Sequence, residues 1–304
     1  MTLLKTLNKF RSSSLKFSRY YIQRGNAIPD YVNLAYVTYE STSSETFANP
    51  LIIMHGLFGA KSNWNTLCKK YYEKTKPPRK IVAVDARNHG DSPHHNRHNY
   101  EMLVLDLKVL MENLEIDRAC LLGHSMGGAT AMLMALNHPT LVGKLIVEDI
   151  SPISIKIGNL SPLIEAMMDV NLPRGVSLAE ARAKADFQLI QNGVSKREMR
   201  RFLLTNLVTK SDEGFGWRLN LPTLYADYKN LENFPLKKGK VYGGPTMFVA
   251  GEESGAVKKQ DIQKIKTFFP NSEFKFVKGA GHWVHNDKAE EFLNITLEFL
   301  NRSS

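Results

Sequence analysis

The feature that most constrains this chain is the pentapeptide Gly123-His124-Ser125-Met126-Gly127, set between an apolar run at residues 119–122 and a helix-like stretch at 128–137. The pentapeptide alone arises by chance, but its setting gives it meaning. A serine on a tight strand-to-helix turn needs small residues two positions before and two after it, because the backbone there is crowded. The hydroxyl is then pushed out above the edge of a sheet, where a nucleophile can reach a substrate.

The rest of the chain has the rhythm such a turn requires. Residues 32–40, 51–54, 81–84, 119–122, 145–147, 246–250 and 274–277 read as strands. Between them lie helical stretches such as 100–114, where Leu103, Leu107, Leu110 and Leu114 share one face, and 288–301, with Phe292, Ile295 and Phe299. Alternating strands and helices predict a mostly parallel sheet flanked by helices, the α/β class. Residues 155–240 break the rhythm with successive helices and no obvious buried strand, so they are expected to form a helical cap inserted between two sheet strands. Ser177 with Glu180 and Ser195 with Glu198 each fit a capping box. Residues 41–46 read as a hairpin loop. At 304 residues, 43% apolar, the chain is expected to be one catalytic domain, 27–304, carrying that insertion.

The formal charge of +10 first suggests a polyanion partner, but its distribution argues otherwise. Six basic residues and no acidic one precede Asp30; without those six, 34 basic residues face 30 acidic ones, a net of +4. Nucleic-acid binding therefore has no special support. The segment 1–26 is rich in Arg, Lys and Ser, with Leu3, Leu7 and Phe10 on one helical face, and is expected to be a mitochondrial transit peptide that leads to the matrix. No apolar stretch reaches the roughly 18 residues of a membrane span, so a soluble protein is expected, with peripheral membrane contact left open. Two cysteines, Cys68 and Cys120, exclude a disulfide framework and fit a reducing compartment.

Acyl transfer needs more than a nucleophile. Two backbone N–H groups must already point at the developing oxyanion. Met126 N–H, opening the helix after Ser125, is one candidate, and Leu57 N–H in His55-Gly56-Leu57-Phe58-Gly59, after the strand 51–54, is the second. Among nine histidines, His282 in Gly281-His282-Trp283 follows the last strand and can face the Ser125 edge; His285 is a weaker candidate for the base. His94, His95 and His98 lie in a loop with no carboxylate or thiol at 93–99, which reads as solvated and carries no metal expectation. For the acid there are two positions. One is Gly251-Glu252-Glu253-Ser254, after the strand where most α/β hydrolases place it, although Ser254 fills the expected Asp position there and leaves Glu253 as the carboxylate. The other is Asp149, which emerges one strand earlier at the same sheet edge as Ser125. This constellation requires no metal or organic cofactor.

These motifs, together with Asp85-Ala86-Arg87-Asn88-His89-Gly90-Asp91-Ser92-Pro93 and Asp149-Ile150-Ser151-Pro152, resemble the α/β-hydrolase domain-containing protein 11 family over about residues 32–300, including Leu203-Leu204-Thr205-Asn206-Leu207. The resemblance implies an α/β-hydrolase fold, a diacylglycerol lipase-like activity on lipid esters, and kinship with bacterial esterases and yeast alcohol acetyltransferases. It also implies a link to the 2-oxoglutarate dehydrogenase complex. In the bacterial and yeast relatives the acid maps onto Asp149. Some animal members are assigned a cap aspartate after a Trp-Arg-x-Asn-Leu stretch; here Trp217-Arg218-Leu219-Asn220-Leu221 is followed by Pro222, which favours Asp149. The resemblance thus implies a Ser125-His282-Asp149 triad that forms and hydrolyses an acyl-enzyme. Acyl transfer to an alcohol, or a binding role, are the alternatives. Leu163, Ile164, Met167 and Met168 are expected to line an acyl pocket or to form the cap's own core.

Overall fold

The computed structural model of the chain describes residues 30–40, 48–153, 160–210, 214–237 and 239–303. The expected transit peptide, the expected hairpin loop at 41–46 and part of the segment entering the cap lie outside the described residues.

Seven strands form one sheet: β1 (Tyr36–Tyr39), β2 (Ala48–Met54), β3 (Arg79–Val84), β4 (Ala119–His124), β5 (Val142–Glu148), β8 (Thr246–Gly251) and β9 (Ser272–Val277), while β6 (Leu207–Lys210) and β7 (Gly214–Trp217) form a separate hairpin. The sheet order is β1-β3-β2-β4-β5-β8-β9, with every neighbouring pair parallel except β1 with β3. The helices are α1 (Asn65–Lys74), α2 (Tyr100–Asn113), α3 (Met126–Asn137), α4 (Ser161–Met168), α5 (Leu178–Gln191), α6 (Arg197–Leu204), α7 (Leu221–Glu232), α8 (Ile262–Lys266), α9 (Val284–Asp287) and α10 (Ala289–Asn301). None among the described residues is long and apolar enough to cross a membrane.

Strand alternation divides the core between the two faces of the sheet. On β2, Ile52 and Met54 join the cluster that includes Leu103, Leu107 and Met132, whereas Leu51 and Ile53 join Trp64, Tyr71 and Phe292 on the other side. Both faces are covered, which is why these strands read as continuous apolar runs. After β2 the chain moves outward to β3 and then returns to the other side of β2 as β4. At this reversal the carboxyl ends of β2 and β4 open a crevice, the usual ligand position in an open parallel sheet.

Four expectations are corrected. The stretch 32–40 is strand only over Tyr36–Tyr39, because Val32 N–H donates to Asp106 and Ala35 N–H to Ser92 Oγ instead of joining a ladder. The insertion between β5 and β8 contains the β6–β7 hairpin besides α4 to α7; strands of four residues leave too short an alternation to stand out. The Ser177 capping box forms with Glu180, but the Ser195 box does not. Helix α6 starts at Arg197 with Lys196 as N-cap, and the Ser195 carbonyl accepts from Arg200 Nη1. Finally, the loop 93–99 is solvated only in part: His94 is exposed, whereas His98 is wholly buried.

Candidate active site

Strand β4 runs directly into Ser125, whose φ of 51° and ψ of −116° lie where residues with side chains are strained. The turn is held because Ser125 N–H donates to Glu148 O at 2.9 Å and Ser125 O accepts from Ala129 N–H. Its glycines are sterically required. A Cβ on Gly127 would lie 2.5 Å from Met54 O, one on Gly123 would run into the Gly127 backbone, and one on Gly56 would come within 3.2 Å of Ser125 Cβ. The Ser125 hydroxyl makes no hydrogen bond among the described residues, the His282 ring included.

The neighbouring strand β5 delivers Asp149 in a left-handed conformation, φ 50°. Its carboxylate is fully buried and saturated with donors. Oδ1 accepts from Gly251 N–H at 3.0 Å and from Ser254 Oγ at 2.7 Å, while His282 Nδ1–H donates to Oδ2 at 2.7 Å. A carboxylate has no proton to give, so Nδ1 carries the hydrogen and Nε2 is left as the proton acceptor. That is the tautomer a general base needs. The His282 side chain is 38% exposed against 0% for Asp149, so the carboxylate is shielded while the imidazole faces the open side. Glu253, the alternative acid, is exposed, and its N–H donates to Ala280 O. The structure brings Asp149, not Glu253, to His282.

The loop after β2 forms a turn closed by Gly59 N–H on Gly56 O, with Phe58 at φ 63°. Leu57 N–H has no hydrogen-bond partner among the described residues, and Met126 N–H, first in α3, has no acceptor within its helix. Three buried histidines brace these two groups. His55 Nδ1–H donates to Gly56 O at 2.7 Å and its Nε2 accepts from Ala86 N–H; His89 Nδ1–H donates to Arg87 O and its Nε2 accepts from Phe58 N–H at 3.2 Å. His98 Nε2–H points at Met126 Sδ, 3.3 Å away. Burial pushes all three down in pKa, His98 to about 3, so they stay neutral and keep an acceptor nitrogen. Cap residue Asn206 completes the brace by donating from Nδ2 to Phe58 O at 2.9 Å. The roles of His89 and Asn206 depend on contacts between segments distant in sequence, and the only signals for them are their places inside the 85–93 and 203–207 motifs.

The sequence profile of the α/β hydrolase fold family matches residues 49–289 of this chain. The chain is 40% identical over 265 residues to the sn-1-specific diacylglycerol lipase ABHD11 of Mus musculus, covering 87% of this chain and 85% of that protein. The chain belongs to the α/β-hydrolase fold family. Within it, the relatives place it in the domain-containing protein 11 group. It is 31% identical to a probable alcohol acetyltransferase of Saccharomyces cerevisiae, over 83% of this chain and 77% of that one. A solved marine microorganism esterase superimposes with a TM-score of 0.78 at 30% identity, covering 88% of this chain and 99% of that one.

In this α/β hydrolase the second histidine of the His282 loop is committed elsewhere. His285 Nδ1–H donates to Glu148 Oε1 at 2.8 Å, and its ring stacks on Trp64 with centroids 4.2 Å apart. His124, Glu148 and His285 place potential metal-ligand atoms within 4.8 Å of one another. Hydrogen bonds already engage them: His285 holds both Glu148 oxygens, and His124 Nε2–H donates to His282 O at 2.9 Å. In the cap, Ile164 and Met167 are fully buried in the apolar cluster that also takes in Leu57, Phe58 and Met126, and Leu163 packs against it, whereas Met168 is 46% exposed.

Proposed function

We propose that this α/β hydrolase is a serine esterase that cleaves lipid esters of the diacylglycerol class through an acyl-enzyme, in the mitochondrial matrix. Ser125 attacks the ester carbonyl as His282 Nε2 takes its proton, and Asp149 stabilises the imidazolium that forms. Leu57 and Met126 N–H groups receive the developing oxyanion. Protonated His282 then gives its proton to the leaving alcohol, and water repeats the sequence to release the acid.

The observation that carries this reading is the 2.7 Å bond from His282 Nδ1–H to a wholly buried Asp149, at the same sheet edge as a serine held at φ 51°. The diacylglycerol preference draws its support from the mouse relative, and the compartment from the basic, acid-free segment 1–26. The test is turnover on an acyl-chain series of simple esters and diacylglycerols, wild type beside Ser125→Ala. Hydrolysis of diacylglycerols that depends on Ser125 is expected; hydrolysis confined to short-chain esters would remove the lipid assignment.

The yeast acetyltransferase relative favours a second reading with the same residues, in which an alcohol replaces water at the acyl-enzyme. Product analysis with added ethanol separates the two, since only transfer yields an ethyl ester.

A further inference from the structure

Beneath the triad lies a second pairing of a carboxylate with a histidine that the chemistry above does not use. Consecutive residues at the end of β5 each take one histidine of the loop that follows β9: Asp149 takes His282 and Glu148 takes His285. Glu148 is fully buried and grips His285 twice, accepting from its backbone N–H at 2.8 Å and from its ring Nδ1–H at 2.8 Å. Trp64 covers the other face of that ring. His124, next to the nucleophile, lies between the two histidines, with its ring 4.6 Å from His282 and 5.1 Å from His285. Its Nε2–H holds the His282 carbonyl.

The backbone atoms of Glu148 and Ser125 are tied as well, through Ser125 N–H to Glu148 O. One residue therefore grips the nucleophile turn with its carbonyl and the base loop with its carboxylate. The base needs such a grip. His282 sits in irregular chain between β9 and α9, with its side chain 38% exposed, and its direct anchors are the Asp149 bond on the ring and the His124 bond on the carbonyl. A base on irregular chain drifts unless the residues beside it are fixed, and a displacement of about 1 Å at a reacting group can cost on the order of a hundredfold in rate.

We propose that Glu148, through His285 and His124, is the positioning residue that fixes the His282 loop in register with Ser125. This rests on His282 as the general base. It predicts a dependence on hydrogen-bond acceptance at position 148, not on its charge, because both bonds from His285 need only an acceptor oxygen. Burial and the neighbouring imidazoles hold the His124 pKa well below its usual value, so His124 stays a neutral single donor.

The test compares Glu148→Ala, Glu148→Gln and His285→Phe, the last keeping an aromatic ring on Trp64 while removing the Nδ1 donor. Ester turnover, thermal melting and the low-field proton resonance of His282 Nδ1–H, assigned through its loss in Asp149→Asn, are read on each. Glu148→Ala and His285→Phe are expected to lower kcat by about ten- to a hundredfold with KM nearly unchanged, and to broaden or shift the His282 resonance at a temperature where the protein is folded. Glu148→Gln is expected to recover most of both. A sharp, unshifted resonance in folded His285→Phe and Glu148→Ala would overturn the proposal. So would a Glu148→Gln protein as impaired as Glu148→Ala, which would assign the effect to charge. The resonance reports loop geometry whether or not Ser125 is the nucleophile, so failure of this inference and failure of the esterase reading give different results.

Discussion

Ser254 Oγ donates a 2.7 Å hydrogen bond to Oδ1 of Asp149, from the loop after β8 where most α/β hydrolases carry the acid itself. Here the carboxylate stands one strand inward of that position, and a hydroxyl at that position orients it. Asp149→Asn is expected to fold, because an amide still fills the space, but to favour the wrong His282 tautomer and lose the charge opposite the imidazolium. Turnover should fall by roughly 10⁴-fold, about 5 kcal/mol. Ser254→Ala, which removes one charge-assisted bond, should cost about tenfold or somewhat more. Glu253→Gln should change turnover by less than about threefold, since its carboxylate is exposed and not bonded to His282. Steady-state kinetics with melting curves on the three variants check this ranking.

His89 holds Phe58 N–H in the loop that presents Leu57. His89→Ala leaves that buried donor unpaired and frees the turn, so kcat should drop by about 10- to 100-fold, with a stability loss of roughly 1–3 kcal/mol. Kinetics at a temperature well below the variant's Tm separate the two effects. An unchanged kcat would remove His89 from the support of the oxyanion loop.

The buried neutral histidines also predict how stability depends on pH. Burial holds His89 and His124 well below 6.5 and His98 near 3 in the folded chain. The unfolded chain binds the extra protons, so their stabilisation is complete above about pH 6.5 and is lost as pH falls from there toward the folded values. Each contributes a slope of up to about 1.4 kcal/mol per pH unit in that window. Tm should therefore decline steadily between about pH 6.5 and pH 4.5, and less steeply in His98→Asn; parallel declines in the two proteins would contradict this origin.

Much of this architecture was legible because it is local. The strands around Ile52, Leu121 and Val147 are covered on both faces, so they stand out as unbroken apolar runs, and the turn at Ser125 is written in adjacent glycines. Asp149 could be placed because β5 sits beside β4 and ends at the same edge. What escaped the sequence joins segments far apart in the chain: Ser254 on Asp149, Glu148 on His285, Asn206 on Phe58. His98 reads as solvated among polar neighbours, yet it turns inward, where its Nε2–H meets Met126 Sδ and its Nδ1 accepts from Asn88 Nδ2–H. Ser195 matched a capping box by spacing, but the buried Arg200 took its carbonyl and the helix began later.

The segment 1–26 is expected to carry a fused reporter to mitochondria, since its sequence has basic residues, no acidic one and apolar residues at helical spacing. Imaging and fractionation of that fusion check it. A cytosolic reporter would withdraw the matrix assignment and leave the chemistry untouched.

Labelling by a fluorophosphonate probe tests whether Ser125 is an activated nucleophile, because such probes react readily only with a serine whose proton a neighbouring base can take. Wild type is expected to label stoichiometrically and Ser125→Ala not at all, with ester turnover falling at least about 10³-fold in the variant and with matched melting curves. Equal labelling of the two folded proteins would place the reactive group elsewhere and remove Ser125 as the nucleophile.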